Sequence, residues 1–321
     1  MEEAFHRFYS YGLAPNTQKS YTSGQKRYLE FCNKFNLTPI PPSEHTILLF
    51  ISQLGEDGLA PSTVKSYLAA IRNLFINAGL SSINLYTPRV ELVIRGIKRV
   101  KARQSSSVRP RLPITPSILL ELKKVWGRDH QLTDNQMLWA AVCVAFFGFL
   151  RCAEFTVPSL ATYDPSIHLS LEDVSTVTGA GGSSLAIRIK HSKTDQFGKG
   201  ISVFFSRTGA SLCPVSSLLD YLNRRGTKSG PLFLFENGQP LSRVKLVSLV
   251  REALSSVGMD VLKYCGHSFC IGAATTALRA GISDAKIKML GRWESSAYQV
   301  YLQTPREELA AVSSTLANTL S

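Results

Sequence analysis

The sequence predicts a mostly α-helical protein of two domains, the larger of which carries a small antiparallel β-sheet. Three observations lead there. Apolar residues recur at helical spacing behind capping residues along most of the 321-residue chain. A ten-residue phrase occurs twice in the first 67 residues. Only Ser184–His191 and Ile201–Ser206 alternate as strands do, joined by a polar, glycine-containing tip.

The duplicated phrase builds the first domain. Gly12-Leu-Ala-Pro-Asn-Thr-Gln-Lys-Ser-Tyr21 returns 46 residues later as Gly58-Leu-Ala-Pro-Ser-Thr-Val-Lys-Ser-Tyr67. In each copy Asn16 or Ser62 follows proline, where its side-chain oxygen can accept from an orphan amide and start a helix. Tyr21, Tyr28, Leu29, Phe31 and Cys32 keep an amphipathic spacing behind the first copy; Tyr67, Ile71, Leu74 and Phe75 do so behind the second. Ser43 can cap a helix between them that carries Ile47, Leu48, Leu49 and Phe50. Two copies are too few for a solenoid, so the reading is an all-helical domain over 8–100 made of two similar hairpins. Lys19, Lys65 and Arg72 project from early helical turns, as phosphate contacts or as ordinary solvated side chains.

Arg95, Lys98, Arg99, Lys101, Arg103, Arg109 and Arg111 follow with no acid among them, interrupted by Gln-Ser-Ser-Ser and leading to Pro110 and Pro113. This predicts an extended basic linker, assigned to 101–113, suited to wrapping a duplex because each phosphate contact releases counterions. A plain solvated tether is the alternative.

The second domain runs over 114–321. Thr115 can cap a helix with Pro116 in its first position that ends near Trp126. Thr133-Asp-Asn-Gln136 has the form of a capping box ahead of the apolar run Met137–Leu150. At 14 residues that run is shorter than the roughly 20 that span a bilayer, so it predicts a buried helix. Helical patterns return at 214–223, 240–256, 267–280, 283–290 and 306–319. The last is amphipathic through Leu309, Val312, Leu316 and Leu320, which pack on their own domain or on a neighbouring protomer.

Composition narrows the partners. A net charge of +13 and a pI near 9.6 favour nucleic acid or an acidic membrane face, although a merely soluble basic surface fits charge alone equally well. The six cysteines have no framework spacing and predict free, mostly buried thiols in a reducing compartment. Cys265-Gly-His267-Ser-Phe-Cys270 lacks the second cysteine or histidine pair of a zinc site. Met1-Glu-Glu-Ala-Phe has neither the basic start nor the apolar region of a secretory signal, so the expectation is a soluble intracellular protein with no membrane association.

Four phrases in the basic second domain carry chemistry: Gly148-Phe-Leu-Arg151-Cys-Ala-Glu154-Phe, His191-Ser-Lys193-Thr-Asp-Gln, Gly266-His267-Ser-Phe-Cys270-Ile-Gly-Ala-Ala-Thr and Leu290-Gly-Arg292-Trp, with Tyr301 nine residues after Arg292. An arginine directly behind a buried helix must meet a carboxylate or a phosphate, and Glu154 lies one turn away. Lys193, alone, reads as a solvated turn residue, and His267 as an ordinary surface or core group.

Taken together, these phrases resemble the catalytic set of the tyrosine recombinases (phage-integrase family). The resemblance spans about 10–310, and the Leu-Gly-Arg-Trp wording is similar to the recombinases of DIRS, Ngaro and Crypton mobile elements. It implies a core-binding (SAM-like) domain followed by a catalytic domain of the DNA breaking-rejoining fold. Arg151 would clamp the scissile phosphate, with Glu154 supporting the fold. Lys193 would protonate the leaving 5′-oxygen, with Lys190 and Lys199 close enough in sequence to compete. His267 would hydrogen-bond the phosphate and manage protons near neutral pH. Arg292 stands where relatives carry histidine or tryptophan, and Tyr301 would be the nucleophile, with Tyr298 the weaker choice. Lys19, Lys65, Arg72, Lys98, Arg99, Lys101 and Arg103 would touch DNA. No metal or nucleotide cofactor is implied; the sequence has no P-loop and no carboxylates clustered for paired magnesium ions.

One position departs from the pattern. Cys270 stands three residues after His267, where the family has a second phosphate-clamping arginine. A thiol brings neither the charge nor the reach, and losing a transition-state cation costs on the order of 10²–10³ in rate. Arg279 and Lys263 are the nearby candidates to compensate. Two readings stay open: a recombinase or integrase of mobile-element origin with impaired cleavage, and a repurposed DNA-binding protein without chemistry. Both imply double-stranded DNA as partner; the first also implies self-association from dimer to tetramer on it, and the expected location is nuclear.

Overall fold

A computed structural model describes residues 1–80, 83–104, 111–127, 133–179, 182–193, 195, 198–294 and 299, apart from the side chains of 6, 178, 179, 182 and 183. The chain divides into two compact units, Met1–Val108 and Arg109–Ser321.

The first unit is all helical: α1 (Glu2–Tyr11), α2 (Pro15–Lys34), α3 (Glu44–Glu56), α4 (Pro61–Asn77) and α5 (Pro88–Gln104). The two copies of the repeated phrase become α2 and α4, which pack against each other. Gly24 permits their closest approach, since a Cβ there would stand 2.9 Å from the Ala70 methyl. Tyr28, Phe50 and Phe75 fill the centre, with Tyr28 meeting Phe50 edge-on at 5.2 Å. Ser43 caps α3 as its sequence predicts, accepting from the Thr46 amide at 3.0 Å.

Several details differ from the sequence reading. Asn16 and Ser62 are not caps. Pro15 and Pro61 take the first helical position, where a missing N–H is harmless, so the N-caps fall on Ala14 and Ala60. Leu29 and Leu49 face outward rather than into the core. The short helix α1 had no sequence signal strong enough to predict it, and it leaves Phe5, Phe8 and Tyr11 exposed. The basic stretch is not extended from residue 95: α5 stays helical through Gln104, because Val90, Ile94 and Ile97 anchor one face on the core while the cations occupy the other.

The second unit contains α6 (Pro116–Trp126), α7 (Thr133–Phe147), α8 (Cys152–Phe155), β1 (Val174–Gly179), β2 (Gly182–Ile189), β3 (Ile201–Phe205), α9 (Pro214–Arg225), α10 (Arg243–Ser255), α11 (Ser268–Arg279) and α12 (Asp284–Leu290). The Thr115 hydroxyl accepts from the Ile118 amide at 3.4 Å, and Pro116 opens α6 as expected. Helix α7 is buried on every side from Ala140 to Phe146, which is why its sequence is apolar without a stripe. Thr133 begins that helix, and the Asp134 carboxylate takes the Glu236 amide at 2.7 Å. The sheet is antiparallel in the order β1-β2-β3, with Val174 opposite Ile187 and Ile187 opposite Val203. Strand β1 went unpredicted because Val-Ser-Thr-Val-Thr-Gly has little apolar alternation.

Helix α11 sits at the middle of this unit. The strap at 112–114 crosses its start, with the Leu112 amide donating to Lys263 O at 3.0 Å and the Ile114 amide to Ser268 O at 2.9 Å. Gly272 makes this possible: a Cβ there would lie 1.8 Å from the Ile114 carbonyl oxygen. Among the described residues no helix is long and apolar enough to cross a membrane.

Candidate functional site

The site grows from the turn between α7 and α8. After Phe147 the chain must leave a buried helix without stranding carbonyls. Gly148 lets the backbone pass under Phe205 of β3, where a Cβ would meet that ring at 2.9 Å. Phe149 turns through φ 52°, and Leu150 delivers Arg151 as the cap of α8. The Glu154 carboxylate then reaches back. Its Oε2 accepts from the Arg151 amide at 2.9 Å, and its Oε1 pairs with Arg151 Nη1 at 2.9 Å. The carboxylate alternative weighed for Arg151 is therefore realised. Glu154 is almost wholly buried, whereas the Arg151 side chain keeps 17% of its surface in solvent.

Arg292 approaches the same turn from the far end of the domain. Gly291 ends α12, Arg292 takes φ 54°, and the Trp293 ring covers Gly291 and meets Phe149 edge-on at 6.3 Å. From there Arg292 Nη1 donates to Gly148 O at 3.1 Å, and Nη2 donates to Phe149 O at 3.1 Å and Glu154 Oε2 at 2.8 Å. Its own carbonyl faces Arg151 Nη2 at 3.5 Å. One buried carboxylate thus holds two guanidiniums.

Cys270 docks on this turn from α11. Its thiol donates to Leu150 O at 3.1 Å and lies 3.8 Å from Phe149 O. Burial pushes that thiol up to about 12, with the Glu154 charge acting in the same direction, so it stays neutral. Arg279 and Lys263 are the candidate compensating cations. Arg279 lies nine residues further along α11, about 13 Å of helix rise. Lys263 pairs with Asp260 at 3.3 Å.

His267 is exposed at the start of α11, beside a tight contact with the first phrase. The Cys152 thiol, next to Arg151, donates to Gly266 O at 3.4 Å, and a Cβ on Gly266 would meet that sulfur at 2.7 Å. A hydrogen bond from the His267 side chain draws the Cys265 thiol down to about 7, against the opposing effect of burial. Cys265 and Gly266 line a groove of about 650 Å³ with Arg243, Ser248 and Arg251. Arg243, exposed at the start of α10 behind the Ser242 cap, is a cation the sequence reading missed. The only signal for it was Ser242-Arg-Val-Lys245, a cap followed by two cations.

The lysines separate. Lys190 pairs with Asp173 at 2.7 Å and donates to Pro165 O at 2.6 Å. Lys193 is exposed in the loop between β2 and β3. Asp195 orders that loop by accepting from the Lys199 and Gly200 amides at 3.1 and 2.7 Å. Tyr301, Tyr298 and the amphipathic tail through Leu320 lie outside the described residues.

In the first unit, Lys65, Arg95, Lys98 and Lys101 converge on a groove of about 920 Å³ beside the start of α4. Tyr86 lines the same groove; burial raises its hydroxyl above the ordinary value, against the opposing charge of Arg72. Lys19, Arg99 and Arg103 are exposed but do not line it. The six cysteines are free, and among the described residues no group of His, Cys, Asp and Glu is arranged to hold a metal.

Comparison with known proteins gives a consistent picture. No protein-family model matches the chain. The integrase/recombinase xerD homolog of Selenomonas ruminantium is 25% identical over 295 residues, covering 88% of this chain and 79% of that protein. Among solved structures, the XerH site-specific recombinase bound to its palindromic difH substrate has a TM-score of 0.60 at 17% identity, covering 85% of this chain and 69% of that one. The Tn1549 transposon integrase in complex with transposon right end DNA scores 0.59 at 15% identity, covering 95% of each chain. A lambda integrase dimer bound to a core site scores 0.55 at 15% identity, over 94% of this chain and 75% of that one. These likenesses establish the mostly helical fold with its small sheet. In sequence the chain is similar to that integrase/recombinase homolog, and in fold to these recombinase and integrase structures.

Proposed function

We propose that this protein binds double-stranded DNA and acts in site-specific recombination or integration, with Tyr301 attacking a phosphodiester to leave a 3′-phosphotyrosine. The observation that carries the reading is the clamped turn, where buried Glu154 presents the partly exposed Arg151 beside the start of α11 and His267. A phosphodiester resists attack because its transition state gathers negative charge, so a fixed cation and proton-handling groups are what the chemistry requires. Arg151 supplies the cation, Lys193 the proton for the leaving 5′-oxygen, and His267 a hydrogen bond to the phosphate. In the first unit the groove of Lys65, Arg95, Lys98 and Lys101 tracks the backbone of the duplex, with Lys19, Arg72, Arg99 and Arg103 as further phosphate contacts. Arg243 adds a contact near the cleavage site.

The Leu-Gly-Arg-Trp phrase supports descent from the DIRS, Ngaro and Crypton branch, and with it a nuclear location and assembly from dimer to tetramer on DNA. A second reading has its own observation. Cys270 is buried and neutral, which favours a DNA-binding protein whose cleavage is slowed or lost. Covalent trapping on a nicked duplex separates the two. A denaturant-stable protein–DNA adduct in the wild type that disappears in Tyr301→Phe supports the enzyme. Duplex binding with no adduct supports the second reading, and absence of binding refutes both.

A further inference from the structure

Arg292 stands nine residues before the proposed nucleophile, yet its guanidinium points away from solvent. Only 8% of its side chain is exposed, against 17% for Arg151. Its donors go to Gly148 O, Phe149 O, Leu290 O and Glu154 Oε2, at 2.8 to 3.1 Å. A guanidinium with five N–H donors in a rigid fork suits this bridging of carbonyls and a carboxylate. A phosphate contact would require it to abandon a buried carboxylate, leaving that charge poorly paired.

We infer that Arg292 is a positioning residue that acts through Glu154 and the 148–150 turn to present Arg151. Three contacts make the path. Arg292 fixes Glu154 Oε2, the same atom that accepts the Arg151 amide, while Oε1 takes Arg151 Nη1. The Arg292 carbonyl faces Arg151 Nη2 from the other side. Trp293 on the Phe149 ring holds the left-handed turn from which Arg151 emerges. Residues 292 and 293 together form one clamp, with the side chain and carbonyl of the first and the ring of the second acting on one turn.

The inference rests on the reading of Arg151 as a phosphate contact, and a double-mutant cycle distinguishes the two. The probe is a nick-bearing 30-base-pair duplex of arbitrary sequence, and the readout is the slope of log affinity against log salt. Full-length wild type, Arg151→Gln, Arg292→Gln and the double variant are compared, with thermal melting as the check on folding. One lost phosphate contact lowers the slope by about 0.9. The expected result is a drop of about that size in each single variant and no further drop in the double. A drop of about 1.8 in the double means Arg292 touches phosphate itself and overturns the inference. A normal slope in Arg292→Gln alongside a reduced one in Arg151→Gln overturns it as well, making Arg292 structural only. A normal slope in Arg151→Gln overturns the phosphate reading and the inference with it. Should Arg292→Gln melt early, Arg292→Lys replaces it. A single ammonium keeps the charge but cannot span the turn and Glu154 together, so the same non-additivity is expected.

Discussion

Arg292 Nη2 lies 2.8 Å from Glu154 Oε2, and the partner oxygen of that buried carboxylate holds Arg151 Nη1 at 2.9 Å. Residues 138 positions apart in sequence are thereby fastened to one turn. Such a pair need not add much stability over a well-packed apolar substitute, but removing its shared carboxylate leaves two cations without their counter-ion.

Glu154→Gln should therefore destabilise the second unit by about 3–5 kcal/mol, read as a lower urea midpoint. An unchanged midpoint would mean that the guanidiniums find solvent without loss.

Gly272→Ala tests the packing of the strap over α11. The added methyl would fall 1.8 Å from the Ile114 carbonyl oxygen, and backbone on both sides leaves no flexible group to yield. A loss at or above the about 1–3 kcal/mol of ordinary overpacking is expected in denaturant unfolding.

The two lysines just after β2 should behave oppositely. Lys190→Ala strips the buried Asp173 of its ion pair and should cost on the order of 3 kcal/mol. Lys193→Ala, at an exposed loop position, should stay within about 0.5 kcal/mol of wild type while slowing any cleavage. Unfolding curves on both variants, beside adduct formation, check this.

Cys265 offers a pH-dependent readout. Its thiol is drawn from 9.0 to about 7 by the His267 hydrogen bond, so the thiolate predominates above about pH 7. Because the native value lies below the unfolded one, the pair adds stability in full above about pH 9 and loses it as pH falls through about 7. Iodoacetamide labelling followed by mass spectrometry should show Cys265 reacting with a midpoint near 7, while buried Cys270, held near 12, stays unlabelled. His267→Ala should move the Cys265 midpoint up.

Local signals carried the fold where they were strong. Ser43 and Thr115 cap as their side chains allow, and the apolar stretch behind Thr133 is the buried helix it resembles. Where two signals competed, one hid the other. Asn16 and Ser62 look like caps until proline's missing N–H assigns the first helical position. The cations after residue 95 mask an apolar face of Val90, Ile94 and Ile97 that keeps α5 helical. In the site, the Arg151–Glu154 pair is readable from one-turn spacing. The Arg292–Glu154 pair is not, because it depends on two left-handed residues, Phe149 and Arg292, that no pattern of side chains announces. Arg243 escaped for a similar reason, since only tertiary packing brings α10 beside Gly266.

If Arg151, Lys193, His267 and Tyr301 act together as proposed, a cation at position 270 is what cleavage lacks. The direct test is the rate of covalent adduct formation on a nicked duplex in wild type and Cys270→Arg, with Tyr301→Phe added to each. Cys270→Arg should then form adduct faster by on the order of 10²-fold or more, with none in either Tyr301→Phe background. Equal rates in wild type and Cys270→Arg, or adducts that survive Tyr301→Phe, would contradict it.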